Sequence, residues 1–284
     1  MVVLGLAAAF ALLFALRSVG WRVFLAGQRL AYALARRLGI FVRAHPLKAT
    51  AARRFPRLYA FVSARLGLDG FIGLPLTLIV AASLYLLSLL AGLTEELLEA
   101  EELIQFDEAV AQALDPLRSP LLTAAMQWLT DLGGSPAIVA VALTATAFLW
   151  IERRGRAIAA LWTALVGSEG TTWAGKFIIG RERPVFLDIA RAEFASFPSG
   201  HATASMATYG FLAYLAVRRL RSPRARFEVI YWTCVLVAII AISRVYLGVH
   251  FLSDVASGLL VGGFWLLVGV AVAEWPRREP KPEE

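Results

Sequence analysis

Long apolar blocks recur along this chain and are separated by short charged segments. Most blocks hold about 16 to 23 residues, and a helix that rises about 1.5 Å per residue needs roughly 20 residues to cross a bilayer. A soluble protein has no reason to repeat blocks of that length. Because 59% of the 284 residues are hydrophobic, we predict an all-α fold, a polytopic membrane helical bundle.

Six of these blocks are predicted as the core transmembrane helices, namely residues 71–93, 137–151, 157–179, 201–217, 229–243 and 252–273. A shorter apolar block, residues 121–132, is predicted as an interfacial or partly inserted helix. The predicted organisation is therefore an N-terminal membrane-associated segment of residues 1–70, a six-span domain of residues 71–273 and a tail of residues 274–284.

The N-terminal segment begins with an apolar run, residues 1–16, and its first cations come after that run. A cleaved signal peptide has the reverse order. Whether the run crosses the bilayer or lies in its interface stays open. Residues 17–65 carry eleven Lys or Arg and no acid, which predicts a basic amphipathic helix on the membrane surface and then a loop around Pro46 and Pro56. The alternative is an unspecialised linker.

Charge on the connecting segments predicts the orientation. Eight acidic residues and no cation lie between positions 95 and 115, whereas residues 153–156, 218–226 and 277–281 are rich in basic residues. Cationic loops stay in the cytoplasm. We therefore expect a protein of the inner, or plasma, membrane, with the acidic segment forming a solvated interfacial helix outside.

Other classes of function are disfavoured. The net charge of +7 is concentrated beside apolar blocks without a nucleic-acid recognition motif, so we expect contact with anionic lipid headgroups and no nucleic-acid partner. The single cysteine, Cys234, allows no intramolecular disulfide and no cysteine-based metal site. With only three histidines as well, we predict no metal and no cofactor.

The most informative polar stretch is Ser243 to Asp254, which interrupts an apolar region. If a helix begins at Leu252, a histidine at 250 and a carboxylate at 254 face each other, so that the carboxylate binds one ring nitrogen and leaves the other free to react. Arg244 lies on a different helical face. The stretch therefore predicts a helix, a break near Gly248 and a second helix.

Two further polar motifs are expected at the same outer side. Lys176 and Arg183 are seven residues apart, about two helical turns, and together favour an anion, although cations snorkelling to headgroups are the alternative. Ser199, Gly200 and His201 precede an apolar helix, whose free amides attract a phosphate. An ordinary helix cap is the simpler reading of that second motif taken alone.

Together the three motifs supply three cations, two imidazoles, one carboxylate and a helix N-terminus. Phosphoryl transfer needs neutralisation of the phosphate oxygens, an in-line nucleophile and a proton donor for the leaving oxygen. This set of residues meets those needs without a metal. The residues alone therefore predict phosphoryl transfer through a histidine.

The motifs read K-x6-RP at 176–184, PSGH at 198–201 and SR-x5-H-x3-D at 243–254. This combination resembles the signature of the type-2 phosphatidic acid phosphatase and vanadium haloperoxidase superfamily, over about residues 71–273. The resemblance implies that His250 is the nucleophile, that Asp254 orients it, and that His201 protonates the leaving oxygen and then activates water. It also implies five phosphate-binding residues: Lys176, Arg183, Ser199, Gly200 and Arg244.

Three polar residues outside these motifs are further candidates. Glu169 lies about 10 Å deeper than Lys176 on nearly the same helical face, where it could line a lipid cavity or hydrogen-bond to a neighbouring Ser or Thr. Arg181 and Arg191 could bind the second phosphate of a diphosphate, or ordinary headgroups.

The sequence thus predicts a membrane lipid phosphatase that acts at the outer membrane face. Undecaprenyl pyrophosphate is the favoured substrate, followed by phosphatidic acid, phosphatidylglycerol phosphate and the 1-phosphate of lipid A. The alternatives are a lipid phosphotransferase that uses the same site and a lipid transporter or scramblase that only binds headgroups. The sequence does not predict an oligomeric state.

Overall fold

A computed structural model describes residues 2–44, 52–66, 71–184 and 194–276, and these residues fold into helices joined by short connections. The predicted all-α class is confirmed, since the described residues contain no strand. The main helices are α1 (Val2–Ala44), α2 (Pro56–Leu66), α3 (Leu74–Glu99), α4 (Glu101–Ala113), α5 (Pro120–Asp131), α6 (Ser135–Ile151), α7 (Gly155–Ile179), α8 (Gly200–Arg219), α9 (Pro223–Tyr246) and α10 (Leu252–Glu274).

Within the described chain, three helices, α3, α9 and α10, are long and apolar enough to cross a membrane. A fourth span results if α5 and α6, which meet at a bend of 40°, are taken together. The protein is therefore an integral membrane protein. The predicted count of six spans stays a prediction, because α6, α7 and α8 do not qualify singly as spans by length and composition.

Helix α10 lies at the centre of the bundle and packs against α3, α7 and α8. Its glycines allow close approach to α8. A Cβ atom added to Gly258 would lie 2.6 Å from the carbonyl oxygen of Ser199, and one added to Gly262 would lie 2.5 Å from that of Thr203. Small residues permit such backbone contact between membrane helices. The packing therefore fixes the start of α8 beside the start of α10.

The N-terminal segment differs from the prediction in its continuity. The apolar run and the basic residues up to Arg43 form one helix, α1, and Pro56 begins α2 at its first turn rather than lying in a loop. Pro46 lies outside the described residues. Helix α1 runs antiparallel to α9, where Arg17 pairs with Glu228 at 3.2 Å and the Tyr231 hydroxyl donates to the Leu13 carbonyl at 2.5 Å.

The block predicted as a partly inserted helix is α5, which continues into α6 after a bend at two glycines. A Cβ atom on Gly133 would lie 2.5 Å from Ile240 Cγ2 and 3.3 Å from the His201 carbonyl oxygen. The bend therefore packs directly on α8 and α9. It brings α5 to the end of the bundle that carries the three polar motifs.

Replacing Gly262 by Ala should destabilise the protein, because the added methyl group meets a backbone carbonyl that cannot move alone. Overpacking of this kind costs about 1–3 kcal/mol. Gly92→Ala in α3 is the matched control, since a Cβ atom there meets nothing within 4 Å. Thermal unfolding of detergent-purified protein should show a lower Tm for Gly262→Ala only. Equal Tm values for the two variants would contradict the proposed packing.

Candidate active site

The predicted helix, break and helix are present at the third motif. Helix α9 ends at Tyr246, Gly248 adopts a positive φ of 66°, and α10 begins at Leu252. Gly248 tolerates this left-handed conformation because it lacks a Cβ atom. The break places His250 directly before α10, where its side chain is 3% exposed.

His250 lies between an acid and a cation. Its Nδ1 is 3.5 Å from Asp254 Oδ2, and its Nε2 is 3.4 Å from Arg183 Nη1. A carboxylate beside Nδ1 and a donor beside Nε2 favour the tautomer with the proton on Nδ1. The Nε2 lone pair then faces the cationic side of the site, where a phosphate would lie.

Burial lowers the pKa of His250 to about 4. The neighbouring Asp254 raises that pKa, whereas the nearby Arg244 and Arg183 lower it. The effect of burial and of the two cations is larger than that of Asp254. The imidazole is therefore neutral at neutral pH. A neutral imidazole with a free nitrogen is the form that acts as a nucleophile or a base.

The first motif contributes two cations by different routes. Lys176 lies in the last turn of α7, and its Nζ donates to the Ala195 carbonyl at 2.6 Å. Gly180 then ends the helix with a φ of 63°, so Arg183 comes from an extended segment and not from the same helical face. Arg183 donates to the Val249 carbonyl at 2.8 Å, which holds it beside His250.

Arg244 and Ser199 lie at the same site as the two cations of the first motif. Arg244 Nη1 donates to Thr130 Oγ1 at 2.9 Å, and the Ser199 backbone amide donates to the Asp254 carbonyl at 2.9 Å. Within the residues that the structure describes, Arg244 Nε and Ser199 Oγ are buried without a hydrogen-bond partner. Buried polar groups are nearly always paired. Both atoms are therefore available to bind a polar ligand.

The second motif brings another imidazole to the cluster. Gly200 is the first residue of α8 and His201 the second, so the free amides of that helix face the site. His201 lies within electrostatic range of Lys176, Arg183, Arg244 and His250. A Cβ atom on Gly200 would make only an ordinary contact, 3.6 Å from Thr172 Cγ2. The structure thus brings together the eight residues of the three motifs.

Asp107 is a residue that the sequence analysis missed. It was assigned to a solvated acidic face of α4, yet its side chain is only 1% exposed. Its Oδ1 accepts from the Ser253 amide at 3.0 Å, near the N-terminus of α10. A signal was available, because Asp107 shares a helical face with Leu103, Ala111 and Leu114, the packed side of α4.

Arg181 does not occupy the position expected of a second phosphate site. Its Nη1 donates to Asp254 Oδ1 and to Ser253 Oγ, both at 2.7 Å, and its Nη2 donates to Asp107 Oδ2 at 2.8 Å. Its guanidinium also lies over the Phe251 ring, 4.2 Å from the centroid. The role predicted for Arg181 does not fit this geometry, because its terminal nitrogens already bind two carboxylates. It instead bridges α4 to Asp254.

The remaining candidates are less informative. Glu169 is half-buried in α7 and interacts electrostatically with Lys176, and within the described chain no hydrogen bond joins it to a Ser or Thr. A role for Glu169 in a lipid cavity stays a prediction. Arg191 lies outside the described residues.

Thr130→Val should weaken binding of inorganic phosphate about fivefold, because loss of one hydrogen bond costs about 1 kcal/mol and frees the Arg244 side chain. Thr144→Val is the control, since that hydroxyl donates only to the Ala140 carbonyl of its own helix. Isothermal titration with phosphate measures both. The same dissociation constant in the two variants would contradict the assignment of Thr130.

Comparisons with known proteins show which family the chain resembles. The family model described as "PAP2 superfamily" matches residues 156–278. Phosphatidylglycerophosphatase B of Bacillus subtilis is 31% identical over 163 residues, which cover 55% of this chain and 77% of that protein. Lipid phosphate phosphatase delta of Arabidopsis thaliana is 36% identical over 77 residues, which cover 25% of this chain and 18% of that protein.

A solved structure is also similar. The crystal structure of the transmembrane PAP2-type phosphatidylglycerolphosphate phosphatase from Bacillus subtilis superposes with a TM-score of 0.62 at 27% identity. The match covers 70% of this chain and 98% of that one. The motifs, the bundle and these matches agree, and the chain belongs to the PAP2 superfamily.

Proposed function

We propose that this protein is a membrane lipid phosphatase that works through a phosphohistidine at His250. The observation that carries the proposal is a pair of buried polar atoms, Arg244 Nε and Ser199 Oγ, which have no hydrogen-bond partner among the described residues and lie in the cationic site around His250. A phosphate would satisfy both groups. The relatives named as lipid phosphatases support a lipid as the carrier of that phosphate.

The proposed reaction has two steps. Nε2 of His250 attacks phosphorus, the bond from phosphorus to the leaving oxygen of the lipid alcohol or lipid phosphate breaks, and protonated His201 donates its proton to that oxygen. His201 then accepts a proton from a water molecule that attacks the phosphohistidine, which releases phosphate and restores neutral His250. Asp254 stabilises the imidazolium character that develops during attack. Three cations, Lys176, Arg183 and Arg244, neutralise the phosphate oxygens, so we expect turnover without a metal.

The substrate and the orientation of the site are part of the proposal. Phosphatidylglycerol phosphate is supported by the name of the Bacillus subtilis relative. Phosphatidic acid and lipid A 1-phosphate also carry a terminal phosphate monoester, and undecaprenyl pyrophosphate carries a terminal phosphoryl group on an anhydride. Because Arg181 is bonded to Asp107 and Asp254, it does not support a preference for a diphosphate. The basic connections at the opposite end of the bundle favour a site that faces outward from the inner membrane.

His250→Ala should lower phosphate release from every lipid in a panel of mono- and diphosphates by at least about a thousandfold, because it removes the nucleophile. His45→Ala is the control, since it removes the one histidine outside the motifs. The assay uses purified protein in detergent with EDTA present. Phosphate release by His250→Ala at close to the wild-type rate would contradict the phosphohistidine mechanism.

The same assay separates the alternatives. A labelled donor supplied together with candidate acceptor lipids should put label only into free phosphate, whereas label in an acceptor lipid would indicate a phosphotransferase. Binding without turnover by the wild-type protein would indicate a headgroup transporter or scramblase.

Asp107→Asn should lower kcat about tenfold to a hundredfold and change KM less than threefold, because small displacements of a reacting group have effects of that size. Without the second carboxylate, Arg181 is drawn to Asp254, which weakens the hold of Asp254 on His250. Glu108→Gln, an exposed neighbour, is the control. A lower Tm with normal kcat would assign Asp107 a purely structural role.

A further inference from the structure

The end of the bundle opposite the active site contains a basic pocket of about 280 Å³. It is lined by the start of α7 and by the last turns of α8 and α10. Four arginines and one glutamate line it, a formal charge of +3: Arg153, Arg154, Arg156, Arg218 and Glu274. Nothing in the proposed phosphatase reaction uses these residues.

Two of the four arginine side chains have no partner among the described residues. Glu274 pairs with Arg218 at 3.1 Å, and Arg156 donates to the Val272 carbonyl at 3.2 Å. Within the described residues, Arg153 and Arg154 make no ion pair or hydrogen bond with another side chain. Arg154 also precedes α7, whose N-terminus has no side-chain cap. Free amides and free guanidinium groups together favour an anion.

An apolar groove begins at the same place. A cavity of about 630 Å³ between α3 and α10 is lined by apolar side chains and Ser83, and Arg156 lines both this groove and the basic pocket. Trp275, at this end of α10, is 52% exposed, and Trp150, at the end of α6, is 76% exposed. Exposed tryptophans at helix ends mark the membrane interface. The basic pocket therefore lies at headgroup level and the groove at acyl-chain level.

The depth of the groove matches one leaflet. It extends from Leu76 to Leu87 on α3 and from Phe264 on α10 to Trp275 just after it, eleven residue steps along each segment. At about 1.5 Å per residue this is roughly 16 Å, close to half of a hydrocarbon layer about 30 Å thick. The groove thus has the length that an acyl chain of a phospholipid in that leaflet occupies.

We propose that the basic pocket and the groove together form a binding site for one anionic phospholipid of the leaflet opposite the active site. The headgroup phosphate binds Arg153, Arg154 and the start of α7, and one acyl chain lies between α3 and α10. The bound lipid fills the space between two packed helices and stabilises the bundle by mass action.

The test uses the full chain in detergent, equilibrated with phosphatidylglycerol or phosphatidylcholine, with bound lipids counted by native mass spectrometry and Tm measured in parallel. The double variant Arg153→Gln, Arg154→Gln should bind one phosphatidylglycerol about tenfold more weakly and lose the rise in Tm. Its control, Arg221→Gln with Arg226→Gln, removes the same charge at the same end outside the pocket. Ser83→Phe should weaken the binding of phosphatidylglycerol, because the larger side chain fills the groove. Ser88→Phe is its control, since Ser88 is on α3 but outside the lining of the groove.

Four results would overturn the site. An equal loss of affinity for phosphatidylglycerol in the two double arginine variants would indicate a general effect of charge. Equal binding of phosphatidylcholine would show that the pocket does not recognise an anionic headgroup. Unchanged lipid binding in Ser83→Phe would show that the acyl chain does not lie in the groove. Displacement of the lipid by inorganic phosphate at comparable concentration would show that the pocket binds phosphate alone. Neither the assay nor its outcome depends on phosphatase activity.

Discussion

The carboxylate of Asp254 is the contact on which the site depends. It is fully buried, it accepts from the Phe251 amide at 2.9 Å and from Arg181 at 2.7 Å, and it lies beside His250. A buried charge of this kind is stable only when its partners are in place, and removing one partner of a buried ion pair costs about 3–5 kcal/mol. The partners of Asp254 come from separate parts of the chain, so the site forms only when the bundle has assembled.

The bundle provides that assembly through small residues and a shared membrane end. Gly258 and Gly262 bring α10 against α8, and the glycines between α5 and α6 bring Thr130 to Arg244. Asp107 on α4 then binds both Arg181 and the start of α10. In this arrangement a short amphipathic helix outside the core spans supports the histidine that we propose as the nucleophile.

Much of this could be predicted from the sequence, because local patterns carry it. Apolar block length predicted the helices, and the spacing of Arg244, Gly248 and His250 predicted the break between α9 and α10. Tertiary partners could not be predicted in the same way. The helical spacing of Asp107 indicates that it faces the packed side of α4, but only the folded chain shows that Arg181 is its partner and that Thr130 binds Arg244.

Arg181 is a case in which sequence position suggested a role that the fold does not support. Its position beside the first motif suggested a phosphate ligand, yet two carboxylates distant in sequence, Asp107 and Asp254, occupy its guanidinium. The orientation of a long cationic side chain depends on which acid lies closest in the fold. Sequence spacing alone does not determine that acid.

The central claim is that phosphorus bonds transiently to His250. The most direct measurement is rapid quench of wild-type protein, under alkaline denaturing conditions that preserve phosphohistidine, after mixing with a lipid that carries a labelled phosphate. Peptide mapping then locates the label. The account predicts stoichiometric label on His250 that forms and decays fast enough to support turnover. Phosphate release at the full rate with no label on His250 at any time would contradict it.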